Sequence, residues 1–260
     1  MNKLNKFIGM VVFIMAVTIT FQFNISEVYA DDLSGREIME LVDQNQFLDS
    51  VRLESVMTII DGRRESIKEL TTYLRSDGQE TSANVEFTNP RDRGTRYLML
   101  DNELWMYFPD AEDLIRISGH MLEQGMMGSD FSYQDALESE RLADLYYFEI
   151  IAEETFQDRP VYVVEGIVRD GEEVAYYRRN FYVDAERYVV LKEEMFAREG
   201  RLLKVMEVEE VEEIIEDRWL QIRMVMEDKI RQSTETIYEI KEIEFDYEIP
   251  DSYFELDALQ

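Results

Sequence analysis

The sequence predicts a mainly β, antiparallel protein of one domain with a few short helices. Three observations carry this. Apolar and polar residues alternate with a period of two, as where Val51, Leu53, Met57 and Ile59 are set against Arg52, Glu54 and Thr58; that is the pattern of a half-buried strand. Turn pairs such as Asp61-Gly62 and Asp77-Gly78 separate the runs and leave no room for the crossover that parallel strands require. Hydrophobic residues make up 45% of the chain, with 15 tyrosines, which suits a packed protein and not a disordered one.

The first thirty residues stand apart. Lys3 and Lys6 precede the mostly apolar run Phe7–Phe23, and Val28-Tyr29-Ala30 offers small residues for a peptidase. This reads as a secretory signal with cleavage expected after Ala30. Gln22, Asn24, Ser26 and Glu27 interrupt the run and no second apolar span follows, so export and release are expected, with no stable membrane anchor. Residues 31–260 then form the single domain. Cysteine is absent, so packing alone must hold it.

The mature chain opens with a helix: Ser34 and Glu37 have capping-box spacing, and Ile38, Leu41 and Val42 share a face that Phe47 and Leu48 extend. Strands follow at Val51–Ile59, Ile67–Leu74 and Thr81–Phe87, and Pro90 closes that meander. Two short runs, Gly94–Asp101 and Glu103–Pro109, pair around Asp101-Asn102. Tyr97 and Met99 face one side and Trp105 and Tyr107 project from the second run, so this hairpin is apolar on both faces. Such a hairpin is buried on both sides, or one side lines a greasy site. Gly119–Gly128 follows, with Met121, Leu122, Met126 and Met127 among three glycines, a composition suited to a movable flap. Ser132–Leu137 is expected to be helical, with Ser129, Asp130 or Ser132 capping it. Strand character resumes at Tyr146–Ile151 and continues through Pro160–Val168, Ala175–Val183, Arg187–Phe196, Leu202–Val208, Trp219–Glu227 and Thr234–Tyr247. Arg169-Asp170-Gly171, Glu199-Gly200 and Asp217-Arg218 serve as turns. The expected total is about ten or eleven strands.

Several of these residues carry a resemblance. The order Arg93-Gly94-Thr95, Leu104-Trp105-Met106-Tyr107-Phe108-Pro109, Arg116-Ile117-Ser118, Met127-Gly128-Ser129-Asp130-Phe131-Ser132-Tyr133-Gln134-Asp135 and Ile249-Pro250-Asp251-Ser252-Tyr253-Phe254 resembles LolA-like outer-membrane lipoprotein-sorting proteins, in particular their longer bacterial relatives. The resemblance implies an incomplete antiparallel β-barrel with short helices as lid and plug, and an apolar cavity for acyl chains of lipoproteins or other lipids. It implies a periplasmic carrier without a catalytic centre, with an inner-membrane transporter and an outer-membrane acceptor as partners. With that implication, the expected ligand contacts are Tyr97, Met99, Trp105, Tyr107, Met121, Leu122, Met126, Met127 and Phe131. Gly119, Gly125 and Gly128 are the expected hinges, and Ser129, Asp130 and Asp135 belong to the motif.

Chemistry is sparse. One histidine, His120, and no cysteine leave no His/Cys metal cluster and no Cys–His nucleophile. Ser129 lacks the strand–nucleophile–helix setting of a hydrolase elbow. With 57 Asp and Glu, a carboxylate pair at glycosidase spacing carries no information, and Glu209-Glu210 and Glu212-Glu213 read as a solvated face. No catalytic residue, metal or cofactor is expected. A net charge of −30 disfavours nucleic acid and anionic membrane surfaces as partners. Two other classes compete with the carrier: an envelope module whose sheet edge or flap docks an exporter, and, last, an envelope hydrolase.

Overall fold

The computed structural model describes residues 33–46, 49–76, 80–100, 102–231 and 233–259. The leader expected at residues 1–30, Phe47 and Leu48, and the Asp77-Gly78 turn lie outside the described residues. From Leu33 the chain forms one compact unit.

Helix α1 (Gly35–Gln46) starts as the sequence predicts. The Ser34 N–H donates to Glu37 Oε2 at 2.7 Å and the Glu37 N–H to Ser34 Oγ at 3.3 Å, the reciprocal pair that occupies two orphan donors of a helix start. Six strands follow: β1 (Ser50–Asp61), β2 (Arg64–Ser76), β3 (Thr81–Phe87), β4 (Arg96–Leu100), β5 (Glu103–Phe108) and β6 (Asp113–Ile117). A joining segment then carries α2 (Tyr133–Glu138) and α3 (Leu142–Leu145). The second strand run is β7 (Tyr146–Phe156), β8 (Arg159–Val168), β9 (Arg178–Asp184), β10 (Val190–Phe196), β11 (Leu202–Ile215), β12 (Arg218–Asp228) and β13 (Thr234–Phe245). The described residues form thirteen strands, above the ten or eleven expected. The sequence carries no strand signal at β6, whose five residues, DLIRI, are too few to display an alternation. Strand β9 also begins three residues later than expected, so residues 169–177 form a longer connection than a tight hairpin.

The thirteen strands make one sheet in the order β6-β5-β4-β3-β2-β1-β13-β12-β11-β10-β9-β8-β7. Every pairing is antiparallel, and the first and last strands meet at its centre, from Val51↔Phe245 to Asp61↔Thr234. Strands β6 and β7 end the sheet and do not pair, so the sheet is not closed. The joining segment of residues 118–145 therefore runs from one edge to the other.

Burial alternates as the pattern requires. Val51, Leu53, Ser55, Met57 and Ile59 of β1 are buried while the residues between them are not. Two large clusters occupy the inner face. One gathers Ile38, Met39 and Val42 of α1 with Val164, Phe181, Val183, Met195, Met206 and Met226. Gly35 makes this docking possible, because a Cβ there would lie 2.9 Å from the backbone nitrogen of Glu149 on β7. The other gathers Met57, Ile59, Leu70, Phe87, Tyr97, Leu104, Met106 and Ile117 with Tyr133 of α2. Outside the sheet, the C-terminal segment lays Ile249, Phe254 and Leu259 over Leu98, with Trp105 and Tyr107 beside them.

Candidate functional site: an apolar cavity under a pinned lid

A cavity of about 370 Å³ opens on the inner face of β1–β5. Its wall is Leu53 and Met57 of β1, Leu70, Thr72 and Leu74 of β2, Ala83, Val85 and Phe87 of β3, Tyr97 and Met99 of β4, and Leu104 of β5. Met224 of β12 and Tyr238 of β13 close one side, and Met126, Phe131, Ala136 and Ser139 of the joining segment form the cover. Regular strand alternation puts every second side chain of three neighbouring strands on this face. No Asp, Glu, Lys or Arg lines it.

The wall is held by aromatic contacts. Tyr97 meets Phe87 edge to face at 5.3 Å between centroids and Tyr133 at 5.7 Å. The Tyr97 and Tyr133 hydroxyls are 3.3 Å apart, which gives two buried phenols a partner. Burial pushes the Tyr97 hydroxyl far above the ordinary tyrosine range, so it stays neutral. The Tyr238 hydroxyl donates to Ser55 Oγ at 2.9 Å, accounting for a serine at a buried position of β1.

The cover is tied together and then tied down. Met126 N–H donates to the Phe131 carbonyl at 2.7 Å and Gln134 N–H to the Leu122 carbonyl at 2.9 Å, joining residues 119–128 to α2. Ser132 caps α2 in a reciprocal box with Asp135. Lys204 of β11 reaches the Asp130 carbonyl at 2.7 Å and Asp135 Oδ2 at 3.0 Å. The Asp130 carboxylate accepts from Thr236 of β13 at 2.8 Å, and the Thr236 hydroxyl accepts from the Asp130 N–H at 2.9 Å. At the far end of α2, Glu138 accepts from the Ala175 N–H at 2.7 Å and lies 3.8 Å from Arg179. Arg179 is hydrogen-bonded to Glu193 and surrounded by the rings of Tyr146, Tyr176 and Phe181. The cover thus has an apolar side toward β1–β5 and a charged side anchored on β9–β11.

These surroundings move the carboxyls apart. Burial raises Asp135, but the Lys204 ammonium and the Ser132 N–H outweigh it and hold the group below the usual carboxylate range. Burial pushes Glu138 and Glu193 up, against the opposing charge of Arg179. Three carboxylates share two cations here, so the cations cannot compensate every desolvation cost.

Of the residues expected at the site, Tyr97, Met99, Met126 and Phe131 line the cavity. Met121, Leu122 and Met127 pack against the same cluster without lining it. Trp105 and Tyr107 lie elsewhere: they pair with Leu98 and Arg96 and so share the outer parity, under the C-terminal segment. Gly119 and Gly128 adopt the left-handed φ of +56° and +85° that favours glycine. Gly125 has an ordinary φ of −67°; what requires glycine there is space, since a Cβ would meet the Ser129 carbonyl oxygen at 2.0 Å. Ser129 and Asp130 do not cap α2. The Ser129 hydroxyl closes a local turn with Phe131, and Asp130 is turned to β13. His120 is exposed, and among the described residues no three His, Asp or Glu side chains gather as a metal site.

Two sets of residues were missed from sequence. The β1–β3 wall was legible only as a buried face, because alternation does not distinguish packed from vacant. The charge cluster did leave a signal: Arg179 and Glu193 occupy the buried parity of β9 and β10, where alternation calls for apolar side chains.

Comparison with known proteins follows the same lines. A crystal structure of a DUF1329 family protein from Desulfovibrio piger is similar at a TM-score of 0.81 and 26% identity, covering 87% of this chain and 98% of that one. A putative outer membrane lipoprotein-sorting protein domain from Vibrio parahaemolyticus gives 0.78 and 23%, covering 86% and 97%. A LolA superfamily protein from Nitrosomonas europaea gives 0.70 and 23%, covering 86% and 99%. No curated protein matches the sequence. A family model described as "uncharacterized protein" matches residues 79–260. The chain belongs to that family, and its fold is LolA-like.

Proposed function

We propose that the protein is a carrier that holds the apolar chain of a lipid or lipid-modified protein in the β1–β5 cavity during transfer across the cell envelope. The observation that supports this most is the uncharged wall around a space of about 370 Å³, within the usual range for small-molecule sites. Each methylene taken from water into such a wall contributes about 0.8 kcal/mol, so a chain alone supplies useful affinity. The LolA-like fold fits the reading, as does a cover formed from the long connection between the open edges β6 and β7. Residues 119–138 would open as one unit, since their internal hydrogen bonds tie residues 119–128 to α2. The expected leader at residues 1–30 would deliver the chain to the envelope, and a membrane transporter and an acceptor would flank it in the transfer.

The competing docking module calls for a filled barrel and a large exposed apolar patch. The large exposed apolar side chains among the described residues are Ile67, Tyr147, Ile151, Ile215 and Ile230, spread over three strands and a loop. Titration with N-phenyl-1-naphthylamine, an uncharged fluorophore, together with lipid mass spectrometry of the purified protein, tests the carrier. Saturable enhancement and a co-purified chain are expected. Neither signal, from a folded protein, removes it.

A further inference from the structure

The cavity raises a question of selectivity that its apolar character alone does not answer. Lipid chains end in groups of different charge, and the surroundings of the cavity decide which ends are accepted. We infer that this site selects a chain whose polar end carries no net negative charge, such as a neutral or zwitterionic lipid. The inference rests on the carrier reading and goes one step beyond it.

The first support is the lining. Its polar side chains are Thr72, Tyr97, Ser139 and Tyr238. Both tyrosine hydroxyls are engaged, with Tyr133 and Ser55. A carboxylate or phosphate drawn inside would lose its hydration with no cation to replace it, a large cost.

The second is the disposition of the nearby cations. Lys68 shares the parity of Leu70 on β2 and is buried, but its ammonium is 2.7 Å from Asp92, which also accepts from Asn89 at 2.7 Å. Arg75, next after Leu74, is bound to Asp251 at 2.8 Å and to the Ile249 carbonyl, and stacks on Phe254. Arg52, beside Leu53, is held by Glu54 and by Glu244 at 2.7 Å. Under the cover, Lys204 serves Asp135 and Arg179 serves Glu193. Each of these five positive charges already answers an acid, so none of the five is a free anchor for an anionic head.

The third is the field outside. Ser139 is exposed while lining the cavity and so marks the opening. A head group that stays outside meets a protein of net charge −30, whose summed potential repels anions over several ångströms. The volume sits near the lower end of ligand sites, which suits one chain with its head at the mouth.

The test uses two lysolipids with the same myristoyl chain, lysophosphatidylcholine and lysophosphatidylglycerol, displacing N-phenyl-1-naphthylamine below their micelle concentrations. At neutral pH and low salt the zwitterionic lipid should displace the probe at about ten-fold lower concentration, since the potential opposes only the anionic head. The gap should narrow in high salt, because screening shortens the field. Ser139→Lys places a cation at the mouth and should narrow the ratio by roughly five-fold. Equal displacement by the two lipids overturns the selectivity and leaves the carrier intact. A stronger effect of the anionic lipid also overturns it. If the probe does not bind and neither lipid shifts the thermal midpoint, the carrier reading fails and takes this inference with it.

Discussion

The two halves of the sheet face inward with opposite solutions to one problem. Across β8–β12, α1 inserts Ile38, Met39 and Val42 and the inner face is filled; beside them on β9–β11, Arg179, itself paired with Glu193, engages Glu138 of α2, and Lys204 engages Asp135. Across β1–β5, α2 only roofs the face with Tyr133 and Ala136, and about 370 Å³ remains between apolar walls. The difference lies in what each filling demands. Buried charges need defined partners at defined distances, so that half fixes geometry. Apolar walls accept any chain of suitable width, so this half leaves geometry to the ligand. The cover belongs to both, anchored by charge on one and roofing the cavity on the other.

On this contrast, breaking the charged half is the most damaging change. Arg179→Met leaves Glu193 and Glu138 buried without their cation and should cost about 3–5 kcal/mol of unfolding free energy. Met99→Leu in the cavity wall should cost less than about 1.5 kcal/mol. Urea denaturation compares them; similar losses would erase the distinction between the halves.

Next in size is the tie of the cover to β13. Asp130→Ala removes both of its side-chain contacts, with Thr236 and Arg231, and should cost about 1–3 kcal/mol. Hydrogen exchange should speed up at the amides of Met126, Tyr133 and Gln134, whose bonds join the two parts of the cover. Unchanged exchange at those amides would mean that the cover is held from elsewhere.

Met126→Asp should separate binding from stability. The residue lines the cavity from the cover and is only partly buried. Affinity for the uncharged probe should fall about ten-fold, or ~1.4 kcal/mol, with under about 1 kcal/mol lost in stability. Marked destabilisation would instead make Met126 part of the core. The parallel expectation for Met127 is weaker, because it packs beside the cavity and not on it.

The smallest expected effect is a dependence on pH. Burial raises Glu138 and Glu193 in the folded state. Such groups contribute stability below their ordinary value of 4.5, and that contribution is lost as pH rises through the folded value. Asp135 is held low, so its contribution is present above 3.8 and is lost as pH falls through its folded value. Glu138→Gln should therefore flatten the decline on the alkaline side, and Asp135→Asn the decline on the acid side. Thermal midpoints across pH check both, and a shared direction for the two variants would contradict the assignment.

Sequence by itself determined the antiparallel meander, the start of α1 and the apolar character of the hairpin at Tyr97 and Trp105. Those features rest on local rules: alternation, turn pairs and a capping box act within a few residues. The glycines and methionines of residues 119–128 mark that segment in the sequence in the same way, although its anchoring leaves no such mark. Only the tertiary structure decided which side of that hairpin meets the cavity. Both sides are apolar, and the choice follows from where the C-terminal segment lies, roughly 150 residues further along the chain by the numbering of Trp105 and Phe254. It also decided that the face of β1–β3 is vacant while the face of β8–β12 is filled. Alternation reports that a face leaves water, but the number of side chains arriving from elsewhere sets whether that face is packed.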